Sequence, residues 1–265
     1  MPHPAPTSPT VGPLLRQWRQ RRRLSQLDLA CDADISTRHL SCLETGRAQP
    51  SRDMLMRLAE QLAVPLRERN ALLAAAGYAA LYPERPLGDA AMAPVREAID
   101  QILSGHEPYP ALAVDRHWTM VSHNAMVPLL LQGVDPALLV PPVNVLRLCL
   151  HPSGLAPRIV NLGEWRAHLL KRLAQQVAAT GDAVLAALRE ELSACPGEAT
   201  HDESGLQGLV MPLRLRTPAG QVLSLISTTT VFGTPVDVTL SELALETFFP
   251  ADADTRVILQ AMAAG

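Results

Sequence analysis

Two stretches of this 265-residue chain hold polar side chains at spacings that suit chemistry. The first is residues 25–47, SQLDLACDADISTRHLSCLETGR, in which Ser25 and Ser36 stand where helices begin. Leu27, Ala30, Ile35 and Leu40 are the small and branched residues that two short helices joined by a tight turn would bury between them. The free N–H groups of the second helix suit a phosphate, and Gln26 at the start of the first can reach the same strand. Exposed residues at the second helix's N-terminus would then face base edges in a major groove. The second stretch brings Arg147, His151, Arg158 and Arg166 within about twenty residues, among Leu146, Leu148, Leu150 and Trp165. A small amphiphile needs an apolar cavity with a few convergent polar groups, and an acid head group could pair with one of those arginines. His123, Thr228 and Thr230 complete the candidate effector-binding set, the threonines through the Thr228-Thr229-Thr230 run that could line a pocket with hydroxyls.

Catalytic and metal chemistry are poorly marked. Ser153, His151 and several aspartates are present, but no GxSxG elbow surrounds a nucleophile. None of His117, His123, His151, His168 and His201 forms an HxxxH or HExxH pair, and no GxGxxG or GxxxxGK[ST] phosphate loop occurs. Cys31, Cys42, Cys149 and Cys195 lack a CxxC pair, so neither a zinc site nor a disulfide framework is signalled. Free thiols, mostly buried, are expected, with redox sensing through Cys31 and Cys42 left open. No metal and no cofactor is expected.

The composition, 48% hydrophobic and 18% charged, is that of a soluble globular protein, and the apolar runs stop short of a membrane span. Residues 1–13 (MPHPAPTSPTVGP) lack the basic and apolar regions of a signal peptide and read as a loose tail, so the expected location is the cytoplasm. The net charge of −3 hides an asymmetry: residues 1–80 carry +4 and residues 81–265 carry −7. A basic head on an acidic body suits one module that approaches phosphates and a larger one that does not. Lys171 is the only lysine among the 23 Lys and Arg residues.

The elements that must position these residues follow from periodicity and punctuation. Residues 14–76 read as five short helices. Leu14, Leu15 and Trp18 stripe the first; Ser25 with Asp28 caps the second, where Leu27 and Ala30 face inward; Ser36 caps the third, which buries Leu40 and Leu43 and closes at Gly46. Leu55, Leu58, Ala59 and Leu62 line the fourth, and the fifth runs from about Leu66 to Ala76. Residues 77–93, rich in Gly, Pro and Ala, form the expected linker. Beyond it, residues 94–265 read as an α+β domain. Short strands flank an Asp115-Arg116-His117 turn, Asn124 caps a helix, and Trp165, Leu169, Leu173 and Val177 mark a helix, as do Leu185, Leu188 and Leu192. Val210 to Thr217 and Gln221 to Phe232 form a hairpin. Residues 237–249 carry both a Thr239/Glu242 cap signal and strand alternation, and strand is the expectation.

The 25–47 segment, with Leu43-Glu44-x-Gly46-Arg47, Pro50 and the Leu55 to Leu62 helix, resembles the repressor-type helix-turn-helix of the Xre family. That resemblance implies an all-α five-helix DNA-binding domain. It places Thr37, Arg38 and Cys42 where base-contacting side chains sit, Arg38 reaching guanine O6 and N7 together. It also offers Gln26, Ser36, Thr45, Arg47 and Arg52 to phosphates, with Arg19 joining from the first helix, and leaves Glu44 to an ion pair within the domain. A homodimer on a two-fold symmetric double-stranded DNA operator is implied. The segments AVDRHWTMVSHNAM, NVLRLCLHPSGLAPRIVNLGEWR and FGTPVDVTLSEL resemble the MmyB-like (MltR-type) ligand-binding domain, which is PAS-like. This implies an effector pocket between sheet and helices for a small amphipathic or fatty-acyl-like molecule. Together the resemblances imply an effector-sensing transcription regulator and not an enzyme. An antitoxin-like regulator that docks a protein partner, and a DNA-binding head fused to an enzyme, stand as alternatives.

Overall fold

The computed structural model describes residues 10–195 and 210–264, so most of the expected tail and His201 lie outside the described residues. The chain divides into two compact units, one built mainly on residues up to Glu84 and the other on residues from Arg85.

The first unit contains α1 (Val11–Arg21), α2 (Gln26–Asp32), α3 (Thr37–Glu44), α4 (Arg52–Gln61) and α5 (Leu66–Ala75). Their core is Leu15, Trp18, Leu29, Ala30, Ala33, Leu40, Leu43, Leu55, Leu58, Leu62, Leu72 and Leu73. Ser25 and Asp28 form a reciprocal capping box, the Asp28 N–H donating to Ser25 Oγ at 3.1 Å and the Ser25 N–H to Asp28 Oδ2 at 3.0 Å. Ser36 and Ser51 cap α3 and α4 in the same way by accepting from His39 and Met54 N–H.

All five helices stop by one device. The residue after each C-cap has positive φ: Arg23 (57°), Asp34 (53°), Gly46 (74°), Ala63 (46°) and Gly77 (82°). The next N–H then reaches back to the carbonyl five residues earlier: Leu24 to Arg19, Ile35 to Ala30, Arg47 to Cys42, Val64 to Ala59 and Tyr78 to Leu73. These Schellman closures satisfy carbonyls that a helix end leaves bare, and they turn the chain within two residues.

Two expectations are corrected. Leu27 is 61% exposed, whereas Leu29 is fully buried. The capping box starts α2 at Gln26, and two residues of helix rotate a side chain by about 200°, so Leu27 falls opposite the Leu29 and Ala30 face. α1 begins at Val11, not Leu14. Pro13 is tolerated because the first-turn N–H groups have no helical acceptor, and Gly12 lies against α3, where an added Cβ would stand 2.5 Å from Leu43 O and 2.7 Å from Glu44 O.

The expected linker is fastened at its near end. The Tyr78 hydroxyl donates to Pro50 O at 3.0 Å, and Asn70 accepts from the N–H groups of Leu81 and Tyr82 while donating to Tyr82 O. Residues 78–84 therefore extend the helical unit.

The second unit runs α6 (Ala93–Gly105), β1 (Ala111–Val114), β2 (Met120–His123), α7 (Met126–Leu130), α8 (Val145–Leu150), α9 (Leu162–Thr180), α10 (Ala183–Ser193), β3 (Leu213–Arg216), β4 (Val222–Val231), α11 (Val238–Ser241), β5 (Ala244–Pro250) and α12 (Ala253–Ala264). The five strands form one sheet, antiparallel throughout, in the order β2-β1-β5-β4-β3. This is the α+β, PAS-like arrangement expected from the sequence. Residues 237–249 satisfy both signals at once, a short helix α11 followed by β5, and α12 escaped the sequence reading altogether.

Alternation along β1 divides the unit's two cores. Ala111 and Ala113 face Ile99 and Leu103 of α6, while Leu112 and Val114 join the larger core with Trp165, Leu169 and Leu173 of α9 and Leu223 and Leu225 of β4. Asn124, 5% exposed, ties these layers. Its Oδ1 accepts from the N–H groups of Ala111 and Met126, and its Nδ2 donates to Leu103 O and Tyr109 O. A buried side-chain amide with all of these bonds made costs little and fixes three segments together.

Candidate nucleic-acid interface and effector cavity

The helical unit's arginines fall into two sets. Arg19 is committed inward: its Nε and Nη2 donate to the Glu44 carboxylate at 2.6 and 2.8 Å, and its Nη1 donates to Leu24 O. Gln26 Nε2 donates to the same carboxylate at 2.8 Å. Burial alone would push the Glu44 carboxyl up; the Arg19 and Gln26 hydrogen bonds, with the charges of Arg19 and Arg16, outweigh it and hold the pKa below its ordinary value. Arg22 caps the end of α4 through Leu62 O and Ala63 O, and Arg69 donates to Val64 O. By contrast, Arg38, Arg47 and Arg52 are exposed and make no side-chain hydrogen bond or ion pair among the described residues.

This sorting bears on the expected phosphate set. Arg19 spends three of its five N–H donors on Glu44 and Leu24, which holds its guanidinium inside the unit. The Thr45 hydroxyl proton goes to Ser41 O at 2.7 Å, which leaves that oxygen only an acceptor toward an anion. Ser36 accepts from His39 N–H and keeps its own proton to donate. Thr37 and Arg38 open α3, and Cys42 is half-buried one turn further on.

In the second unit the expected polar cluster is taken apart by partners far away in sequence. Arg147 forms a two-pronged pair with Glu191, 2.7 Å on each prong. Arg158 donates to Arg216 O, Leu130 O and Gln132 O, and its Nη2 is buried without a partner among the described residues. Arg166 donates to Ser193 O. His151 Nδ1 accepts the Ser153 N–H, His123 meets Asn124 O, and Trp165 stacks on His168 at 5.3 Å. Thr228 bonds Thr247 across the sheet and Thr230 is exposed. None of them converges on a common cavity.

The cavity is elsewhere. It lies between the sheet and helices α7 and α8, walled by Leu112, Met120, Leu130, Leu148, Leu225 and Phe248 among other apolar residues, with Cys149 beside them. Its space free of protein atoms is about 540 Å³, part of it open to solvent. Burial pushes the Cys149 thiol up to about 11, although the Trp165 indole N–H pulls the other way. Sequence reasoning missed these residues because an apolar cavity wall and an apolar core have the same composition.

A second, polar cavity lies on the same face of the sheet, lined by His168, Lys171 and Arg172 of α9, Ser227 and Thr229 of β4, and Val210 and Met211. Arg172 is anchored there: it pairs with the buried Glu246 at 2.6 Å, donates to Thr229 Oγ1 at 2.7 Å and stands 4.5 Å over the Trp118 ring. The threonine run does supply a cavity hydroxyl, but from Thr229, since Thr228 and Thr230 point to the other face of β4. Among the described residues no group of three or more His, Cys, Asp or Glu side chains is placed to hold a metal ion. No described helix is long and apolar enough to cross a membrane.

A helix-turn-helix unit with free arginines around α3, joined to an α+β unit with an apolar cavity, defines a ligand-responsive DNA-binding transcriptional regulator. Residues 11–72 match a helix-turn-helix domain model, and residues 95–262 match the MmyB-like transcription regulator ligand binding domain. The chain belongs to the MmyB-like transcription regulator ligand-binding family. Among curated proteins, none matches it.

Proposed function

We propose that the chain binds a specific operator as a homodimer and changes its hold on that DNA when a small apolar or fatty-acyl-like molecule occupies the α7/α8 cavity. The carrying observation is the sorting of arginines. Arg38, Arg47 and Arg52, exposed and without a side-chain hydrogen bond or ion pair among the described residues, flank α3 on the segment that reads DNA in helix-turn-helix proteins, whereas Arg16 and Arg23, likewise exposed and without a side-chain hydrogen bond, lie outside that segment. Arg38 is assigned to a guanine edge, Thr37 and Cys42 to neighbouring bases, and Arg47, Arg52, Ser36 and Gln26 to backbone phosphates. One such unit contacts few base pairs, which favours a two-fold dimer. Effector occupancy would bias two dimer arrangements that space the α3 helices differently.

Operator selection from a random DNA pool, followed by fluorescence anisotropy, tests this. Arg38→Ala should weaken discrimination at one base pair by about tenfold or more, whereas Arg47→Ala should weaken all sequences alike and flatten the salt dependence. Unchanged binding by both variants would remove the assignment. Mass spectrometry of small molecules released on denaturation tests the effector half. An operator affinity indifferent to the released molecule would refute the coupling.

A further inference from the structure

The outer edge of β4 is longer than the strand that covers it. In the turn between β3 and β4 the Thr217 N–H donates to Gln221 O at 2.8 Å and the Gly220 N–H to Thr217 O at 2.9 Å. Bonded pairs alternate along an antiparallel ladder, so from that pair onward Leu223 and Leu225 turn their N–H and C=O groups toward β3. The even-numbered residues face the β5 side, as Ser224 shows: its N–H donates to Thr255 Oγ1 and its carbonyl accepts from the Ala251 N–H. Ser227, Thr229 and Val231 continue the odd series, but β3 stops opposite Leu225. Their outward N–H and C=O groups meet no partner among the described residues. Val210 and Met211, which lead toward β3, line the polar cavity with Ser227 and Thr229 and leave the β4 backbone unbonded.

Sheet edges are normally blunted by charge, proline, a bulge or brevity. β4 contains no charged residue and no proline, and it pairs with β5 without a break from Leu225 to Val231. Thr228 to Val231 are β-branched and exposed, Val231 to 62%. At the opposite edge of the sheet the β1 and β2 register slips, and a Thr119 to Asn144 bridge covers the start of β2. We infer that the open β4 edge pairs antiparallel with the same edge of a second copy, about a two-fold axis at Thr229. That register sets Thr229 against the partner's Thr229 and Ser227 against the partner's Val231. Every outward N–H then meets a carbonyl, with none left over on either copy, which is the self-complementarity a closed two-fold contact requires. Thr228 falls beside the partner's Thr230, a favourable cross-strand pair of hydroxyls. These short, uncharged side chains offer a foreign peptide no pocket or charge to select it, whereas the copy is admitted by the symmetry of the strand itself. Residues 227–231 alone bury less than the about 800 Å² per partner of a stable interface, so the pair dissociates on dilution and tightens where an operator holds two copies together. The inference rests on the homodimer reading above and gives that dimer a surface in the second unit.

Sedimentation equilibrium of the full chain without DNA, from micromolar to submillimolar concentration, should show a monomer–dimer equilibrium. Val231→Lys, which puts a cation on the edge, and Val231→Pro, which removes one outward N–H, should each weaken it about tenfold or more. Val121→Lys, at the β2 edge, should leave it unchanged. Hydrogen exchange gives the finer reading. The amides of Ser227, Thr229 and Val231 should slow as concentration rises, while those of Thr228 and Thr230, already turned to β5, keep one rate. A monomer throughout, a dimer as tight in Val231→Lys as in wild type, or added protection that misses the odd-numbered amides would overturn the edge pairing. Each of those results leaves the operator-bound homodimer standing; that reading falls separately, if a single copy saturates the operator.

Discussion

Arg19 and Glu44 close on each other through two hydrogen bonds, 2.6 and 2.8 Å, joining the end of α1 to the end of the helix that carries the proposed base-reading residues. The Glu44 side chain is only 2% exposed, so it is an acceptor that must be filled. Arg19→Met should cost about 3 kcal/mol, because it strands a buried carboxylate with Gln26 alone. Arg19→Met with Glu44→Gln together should recover much of that loss. Hydrogen exchange of α1 and α3 amides measures both.

The same pair gives the helical unit a pH dependence. Glu44 titrates below its ordinary 4.5 in the folded chain, so its contribution is present above that pH and is lost as pH falls through the lower, folded value. Exchange protection of α3 should therefore drop under acid conditions more steeply in wild type than in Glu44→Gln. Parallel profiles would show that other carboxylates govern acid unfolding.

Gly12 has no room for a side chain. Its Cβ would meet backbone oxygens, which cannot rotate away as a side chain could. Gly12→Ala should destabilise the unit by about 2 kcal/mol and weaken operator binding, since relief requires α1 or α3 to shift. Wild-type melting and anisotropy in this variant would contradict the packing.

Helix ends allow a test in both directions. Gly46 has open space around its missing Cβ, so Gly46→Ala should cost about 1 kcal/mol from backbone conformation alone. Ala63 adopts the same left-handed region at φ 46° without being glycine, and Ala63→Gly should raise stability by roughly 0.5 kcal/mol after the added unfolded-state entropy. Urea unfolding followed by amide exchange in α4 discriminates the two.

Cys149 offers a chemical reading of the cavity. With its thiol raised to about 11, it should react with iodoacetamide at pH 8 far more slowly than exposed Cys31. Any molecule that fills the cavity should slow it further without touching the Cys31 rate. As pH climbs from about 9 toward 11 the unfolded chain gains by ionising this thiol, so stability should decline over that window.

What the sequence revealed divides along the range of the interactions involved. Ser25 with Asp28, Ser36 and Gly46 act on backbone groups within a few residues of themselves, so the caps and turns of the helical unit were legible in order. The hairpin of β3 and β4 was legible for the same reason. The α1 start was misread because Gly12 and Pro13 look like loop residues until α3 is packed against them. Arg147, Arg158 and Arg166 read as a cluster because they are neighbours along the chain. Folding assigns each to acceptors 26 to 58 residues away, at the nearest the Gln132 carbonyl and at the farthest that of Arg216. The groups that do face the polar cavity, Lys171 and Ser227, come from α9 and β4, and only the sheet register brings β4 beside the helix.

Lys171 has a consequence for labelling. It carries the chain's only side-chain amine, because every other basic residue of the Lys and Arg class is an arginine. An amine-selective reagent applied to the folded protein would thus modify one side chain in the whole sequence, at the mouth of the polar cavity. A fluorophore or cross-linker placed there without any mutation would report directly on who occupies that mouth.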